Sequence, residues 1–296
     1  MPIHEPVLLD EILEGLNPQP NQNFIDGTYG AGGHSAALLE RVAPNGRVIG
    51  IDRDPAAIAA ATPHERLLLI NENYRHLGAI IKQINHAGIN QISGILLDLG
   101  LSSDQLSAGD RGFSFEGQAT LDLRFNPEEQ IPTARDLLAE LPEADLTDLL
   151  RTYGDEPLAR PIAQAIIKAR RDSQVPETAE MLVQLVSGIY RRRYRAYSKR
   201  NPATKTFQAL RIAVNQEFQG LEEFLPQAIE ILPPGGRLAI ISFHSGEDRI
   251  VKHYFKDQGK QGRVRVLTKR PLIASDAERE RNPRSRSAKL RLIEKI

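Results

Sequence analysis

"FIDGTYGAGGHS", residues 24–35, runs from the apolar pair Phe24-Ile25 into an acid, Asp26, then through four glycines in seven positions to His34 and Ser35. A short apolar run bounded by turn residues reads as a buried strand, and the following "HSAALLERVA" reads as a helix. In an open parallel sheet, ligands bind at the carboxyl ends of the strands. A glycine turn there lets the backbone come close to a ligand, and the next helix offers free N–H groups. Similar apolar runs occur at 47–52 ("RVIGID"), 66–71 ("RLLLIN"), 94–100 ("GILLDLG") and 237–243 ("RLAIISF"). Helical patterns separate the first four, so strand alternates with helix as in a doubly wound α/β sheet.

The rhythm breaks after residue 105. Residues 106–130 are irregular, and from 133 to about 225 nearly everything is helical, with Thr133 as an N-cap. Strand texture returns at 237 and ends with "RVRVLTK" (263–269) and "AKLRLIEK" (288–295), which alternate as antiparallel strands do. The expected architecture is a mostly parallel sheet with an antiparallel C-terminal strand. Its core is discontinuous, 1–105 and 212–296, and residues 106–211 form a helical insertion that would recognise substrate.

Composition narrows the setting. Hydrophobic residues are 41% and charged residues 26% of the chain, the balance of a globular protein rather than a disordered or membrane chain. There is no cysteine, which excludes disulfides and thiolate metal sites, and no metal-ligand spacing of histidines. With no leader or membrane span in the sequence, the expected place is the cytoplasm and no metal is expected. Basic and acidic residues balance at 38 each, yet "RRRYRAYSKR" (191–200) holds six basic residues and no acid. Arg191, Arg192, Arg193, Arg195, Lys199 and Arg200, interleaved with tyrosines, point to a polyanion such as RNA, as do the basic last fifty residues.

The glycine turn alone fits two adenosine cofactors. Gly30 and Gly32 match the first two glycines of a dinucleotide fingerprint, but Ser35 stands at the third. Asp52, ending the second strand, suits ribose hydroxyls and is compatible with either cofactor. Asp26 and Asp98 end two more strands. Three acids at one edge disfavour a pyrophosphate and suit a guest carrying a sulfonium and an ammonium.

The blocks "DGTYGAGGHS", "IDRDPAAI", "GILLDLGLSSDQL", "RGFSF", "LDLRF", "NPATKTFQALRIAVN", "GGRLAIISFHSGEDRIVK" and "NPRSRSAKLRL" resemble the signature of the ribosomal RNA small-subunit methyltransferase H family, RsmH or MraW. They span essentially the whole chain. The resemblance implies an S-adenosylmethionine-dependent methyltransferase fold with a helical insertion. It implies transfer of a methyl group to N4 of a cytidine in 16S rRNA, cytidine 1402, at the decoding site of the small ribosomal subunit. It places cofactor contacts on Gly32, Gly33, His34, Asp52, Tyr74, Asp98 and Gln105, with Tyr74 as an aromatic wall for adenine. Two departures stand out: a compact segment between "SFHS" and "NPR", and Gly246 where leucine is common in the family.

Other amino methyltransferases carry Asp/Asn-Pro-Pro-aromatic after the fourth strand, where this chain has "DLGLSS". Asp98, or the carbonyls of Leu99 and Gly100, is therefore a candidate to hold the acceptor amine. His244, at the end of the fifth strand, is a second catalytic candidate that would orient the base or relay its proton.

Overall fold

The computed structural model describes residues 5–101, 105, 111–115, 118–194 and 201–296. The elements run in the order α1 (Leu9–Leu16), β1 (Phe24–Asp26), α2 (Gly33–Arg41), β2 (Val48–Asp52), α3 (Pro55–Ala59), β3 (Leu67–Asn71), α4 (Leu77–His86) and β4 (Gly94–Asp98). They continue with α5 (Ala134–Glu140), α6 (Glu143–Gly154), α7 (Ala159–Arg171), α8 (Ala179–Tyr194) and α9 (Thr204–Asn215). The chain closes with α10 (Glu217–Ile231), β5 (Arg237–Ser242), α11 (Ser245–Lys260), β6 (Val264–Val266), α12 (Asp276–Arg281) and β7 (Lys289–Lys295).

Two compact units result. One comprises Met1–Ser102 and Phe218–Ile296, and the other Ser103–Glu217. The second junction falls after α9, whereas the sequence reading placed it at 212, inside that helix.

The first unit holds a seven-stranded sheet in the order β3-β2-β1-β4-β5-β7-β6. Strands β1 to β5 pair in parallel, β7 runs antiparallel to β5, and β6 runs antiparallel to β7. The pleat explains why near-continuous apolar runs were needed: both faces are covered. Ile25, Ile49 and Ile95 lie side by side in register and face one core with α4 and α10 residues such as Ile80 and Phe224. Their neighbours Phe24, Val48 and Leu96 face the opposite core with Ile12 and Leu38 from α1 and α2. Each fully buried side chain of this size contributes about 1.5–3 kcal/mol, so a one-residue slip in register would forfeit both cores.

The order reverses between β1 and β4. From β1 the chain steps outward through β2 to β3, then returns to β4 on β1's other side. The crossover connections diverge there and open a crevice at the carboxyl ends of β1 and β4, where the glycine turn and Asp98 both lie.

The second unit is helical with a short irregular lead-in. Arg111 donates to the Phe125 carbonyl at 2.8 Å and Phe113 stacks on Phe125 at 5.9 Å, which joins the "RGFSF" and "LDLRF" blocks. Asn215 at the end of α9 donates to the Leu123 carbonyl (2.7 Å) and accepts from the Phe125 N–H (2.8 Å). Thr133 caps α5 through a reciprocal pair with Asp136, as the sequence indicated. Among the described residues, no helix is long and apolar enough to cross a membrane.

Candidate active site

The glycine turn is built around Tyr29. Its N–H donates to the Ile51 carbonyl at 2.8 Å, and its buried ring lies beneath the loop. Gly32 has φ +79°, and a Cβ there would sit 2.5 Å from the Tyr29 hydroxyl. The backbone conformation and the lack of space both require glycine. At Gly50 on β2, a Cβ would lie 2.6 Å from the same ring. Gly33 opens α2, with Gly32 as its N-cap, so the loop delivers a helix start to the crevice.

Asp26 is completely buried. The Ser35 hydroxyl donates to it at 2.7 Å and the Thr28 N–H at 3.3 Å. Burial raises its pKa, opposed by His34 and by those two hydrogen bonds. Ser35, which spoils the dinucleotide fingerprint, is thus the partner that satisfies the first acid. Asp52 receives the Gly30 N–H on one oxygen and the Asp54 N–H on the other, both at 2.8 Å. Burial pushes its pKa up to about 6 against those two bonds. Each carboxylate oxygen keeps a second lone pair, which suits a diol.

Asp98 differs. Its N–H donates to the Thr28 hydroxyl at 2.6 Å, which fixes the tip of β4 against β1. Its Oδ1 is buried and has no hydrogen-bond partner among the described residues. Burial raises its pKa most strongly; His34 and Arg284 oppose that, and the charge on Asp26 adds to it. An orphaned, buried carboxylate oxygen is costly in a finished core and is what a cationic ligand would fill.

His34 Nε2 lies 3.0 Å from the Val7 carbonyl, and its Nδ1 lies 3.8 Å from Asp98 Oδ2. A carbonyl only accepts, so Nε2 carries a proton in that contact and Nδ1 is turned to the acid. The Val7 segment is itself pinned: the Leu8 N–H donates to buried Glu278 at 2.9 Å, and Asn282 donates to the Glu5 carbonyl at 3.0 Å. Periodicity in the sequence gives no sign of this strap, because its contacts span 270 and 277 residues.

Tyr74 starts a 3₁₀ turn, Tyr74–His76, and meets Phe224 edge-on at 5.4 Å. Its Cβ lies 3.6 Å from where a Gly27 Cβ would project, which sets the residue beside the start of the loop. Gly32, Gly33, His34, Asp52, Tyr74 and Asp98 thus share one edge of the sheet. Gln105 is half-buried and belongs to the second unit.

His244 is the N-cap of α11. The Glu247 N–H reaches its Nδ1 at 3.4 Å, Glu247 accepts from the Phe243 and His244 N–H groups, and Nε2 stands 3.1 Å from Glu247 Oε1. Nδ1 is thus taken up by the cap, whereas Nε2 is buried and makes no hydrogen bond among the described residues. The spacing His-x-x-Glu carried the signal of the cap in the sequence. Arg191, Arg192 and Arg193 are exposed in the last turn of α8, where positive charge also complements the helix dipole. Arg195, Lys199 and Arg200 lie outside the described residues.

A sheet in this order, with its antiparallel β7 and an acid-lined glycine turn at the reversal point, defines an S-adenosylmethionine-dependent methyltransferase. The sequence matches the model of the MraW methylase family over residues 1–296, and the chain belongs to that family. Ribosomal RNA small subunit methyltransferase H of Heliobacterium modesticaldum is 47% identical over 99% of this chain and 98% of its own. The protein of the same name from Synechococcus elongatus is 45% identical over 99% and 95%. Among solved structures, a putative rRNA-methylase from Clostridium thermocellum aligns with 97% of this chain and 95% of its own at 15% identity and a TM-score of 0.46, a likeness too slight to add to the assignment.

Proposed function

We propose that this chain methylates the RNA of the small ribosomal subunit, at N4 of a cytidine, cytidine 1402 of 16S rRNA. The observation that carries the donor half of this reading is the buried, unfilled Oδ1 of half-buried Asp98 in a crevice that already holds two other acids. The acceptor half is supported by the names of the relatives and by the signature blocks that run through the chain.

When bound, S-adenosylmethionine supplies a methyl group on a sulfonium, ready for in-line displacement. Gly32, Gly33 and His34 would hold it from the loop, Asp52 through the ribose hydroxyls, Tyr74 along the adenine and Asp98 at a cationic centre. Gln105 completes the set proposed from the family signature. The exocyclic amine of cytosine is a weak nucleophile because its lone pair is delocalised into the ring. Hydrogen bonds accepted from that amine by Asp98 or by the Leu99 and Gly100 carbonyls would restore electron density and hold it in line. His244 caps α11 through Nδ1, and its unpartnered Nε2 is the group that would orient the base or relay its proton. The exposed Arg191–Arg193 turn, with Arg195, Lys199 and Arg200 after it, would grip phosphates while the target base leaves its stack.

The test is incubation with labelled S-adenosylmethionine and small subunits from cells lacking the activity, followed by mapping of the labelled nucleotide. Label on N4 of one cytidine is the expected result. Label on another base, or on protein alone, would overturn the target.

A further inference from the structure

The backbone that follows Asp98 is gripped from several sides. Thr28 accepts the Asp98 N–H at 2.6 Å, and the Leu99 N–H donates to the Ile241 carbonyl of β5 at 3.1 Å. A Cβ on Gly100 would lie 2.8 Å from the Phe243 ring, so this stretch lies flat against it. A further contact arrives from 183 residues away: the Arg284 guanidinium donates through Nη2 to the Leu101 carbonyl. Arg284 sits in a 3₁₀ turn, Pro283–Ser287, whose entry is fixed by the Ser285 hydroxyl on the Asn282 carbonyl (2.9 Å) and by Asn282 on the Glu5 carbonyl (3.0 Å). The groups that face the Asp98 carboxylate are Asp26 from β1, His34 from α2, the Gly100 N–H and Arg284.

We propose that Arg284 is a positioning residue for methyl transfer: it fixes the backbone after Asp98, where the acceptor base docks, and sets its positive charge beside that carboxylate. This rests on the reading of the crevice as a methyltransferase site. A guanidinium is suited to both tasks, because its planar fork can hold a carbonyl while its delocalised charge acts over the neighbouring acid. Burial favours the protonated acid at Asp98, and Arg284 opposes burial. Removing the charge therefore moves the Asp98 titration to higher pH, and activity that needs the carboxylate is lost first on the acid side.

The experiment compares the full-length protein with Arg284→Gln, which keeps a donor without charge, and Arg284→Lys, which keeps charge without the fork. Donor binding is followed by calorimetry from about pH 5.5 to 9, and kcat and KM for small subunits are measured over the same range. In Arg284→Gln, kcat falls roughly ten- to a hundredfold at neutral pH, and the acid limbs of donor binding and rate both move to higher pH. Arg284→Lys keeps the wild-type limb with a lowered kcat. Variants that match the wild type, or that lose activity equally at every pH in step with their melting temperature, would overturn the proposal. If the wild type itself fails to methylate the subunits, the functional reading fails instead, and the acid limb of donor binding still decides the role of Arg284.

Discussion

Acids are used in opposite ways in the helical unit and at the crevice of the sheet unit. In the helical unit, buried Glu156 is fully engaged: Tyr190 donates to it at 2.6 Å, the Leu158 N–H at 3.0 Å and the Thr206 hydroxyl at 3.3 Å. Asp122 takes both a 2.7 Å and a 2.8 Å bond from Arg124, and Asp136 closes a helix cap that lowers its pKa. In the sheet unit, Asp26 and Asp52 are only partly occupied by their own chain, and Asp98 Oδ1 is left over. An acid that serves architecture has its oxygens filled by the fold. An acid that serves a ligand is buried with capacity to spare, at a cost in stability.

The sharpest way to break this contrast is to neutralise one acid of each kind. Asp98→Asn should weaken S-adenosylmethionine binding on the order of a hundredfold by calorimetry, because a charged partner is lost in a buried site. The melting temperature should hold or rise, since an unsatisfied buried charge is removed. Glu156→Ala should do the reverse. It leaves Tyr190, Thr206 and the Leu158 N–H without their acceptor and should cost about 2–4 kcal/mol in denaturant unfolding, with donor affinity unchanged. A stable Glu156→Ala or a destabilised Asp98→Asn with normal affinity would erase the distinction.

Much of this site was legible from residues 24–35 and the strand ends, because a strand that stops at an acid and a glycine turn leaves a local trace. The two-faced burial of β1, β2 and β4 was likewise visible as unbroken apolar runs. Arg284, Glu278 and the Glu5–Leu8 strap were not, because they join the site through contacts across most of the chain's length. His244 was legible in part: its place at a strand end suggests chemistry, and Glu247 three residues on marks a helix cap that takes Nδ1 and leaves the buried Nε2 without a hydrogen bond among the described residues. Ser35 taught the converse: a departure from one motif was the partner of another motif's acid.

Smaller effects sharpen the same comparison. Asp52 titrates near 6, above the ordinary carboxylate range, so the protein alone holds a proton there as pH falls through that value. In the proposed binding mode the ribose hydroxyls donate to the ionised form, and binding must then expel the proton. Donor affinity should therefore fall below about pH 6, by up to about tenfold per unit from this group, and Asp52→Asn should remove that part of the dependence. Affinity that rises on acidification would contradict it. The least effect on the donor site is expected from Arg192→Ala in the exposed last turn of α8. RNA affinity should drop a few-fold with the salt slope shallower by roughly 0.7–1, while calorimetry with S-adenosylmethionine shows no change.

The most direct measurement is a crystal structure of this chain with S-adenosylmethionine bound. The account predicts the donor in the crevice between the ends of β1 and β4, with a cationic centre within hydrogen-bond reach of Asp98 Oδ1. A donor bound elsewhere, or one that leaves that oxygen unfilled, would contradict it.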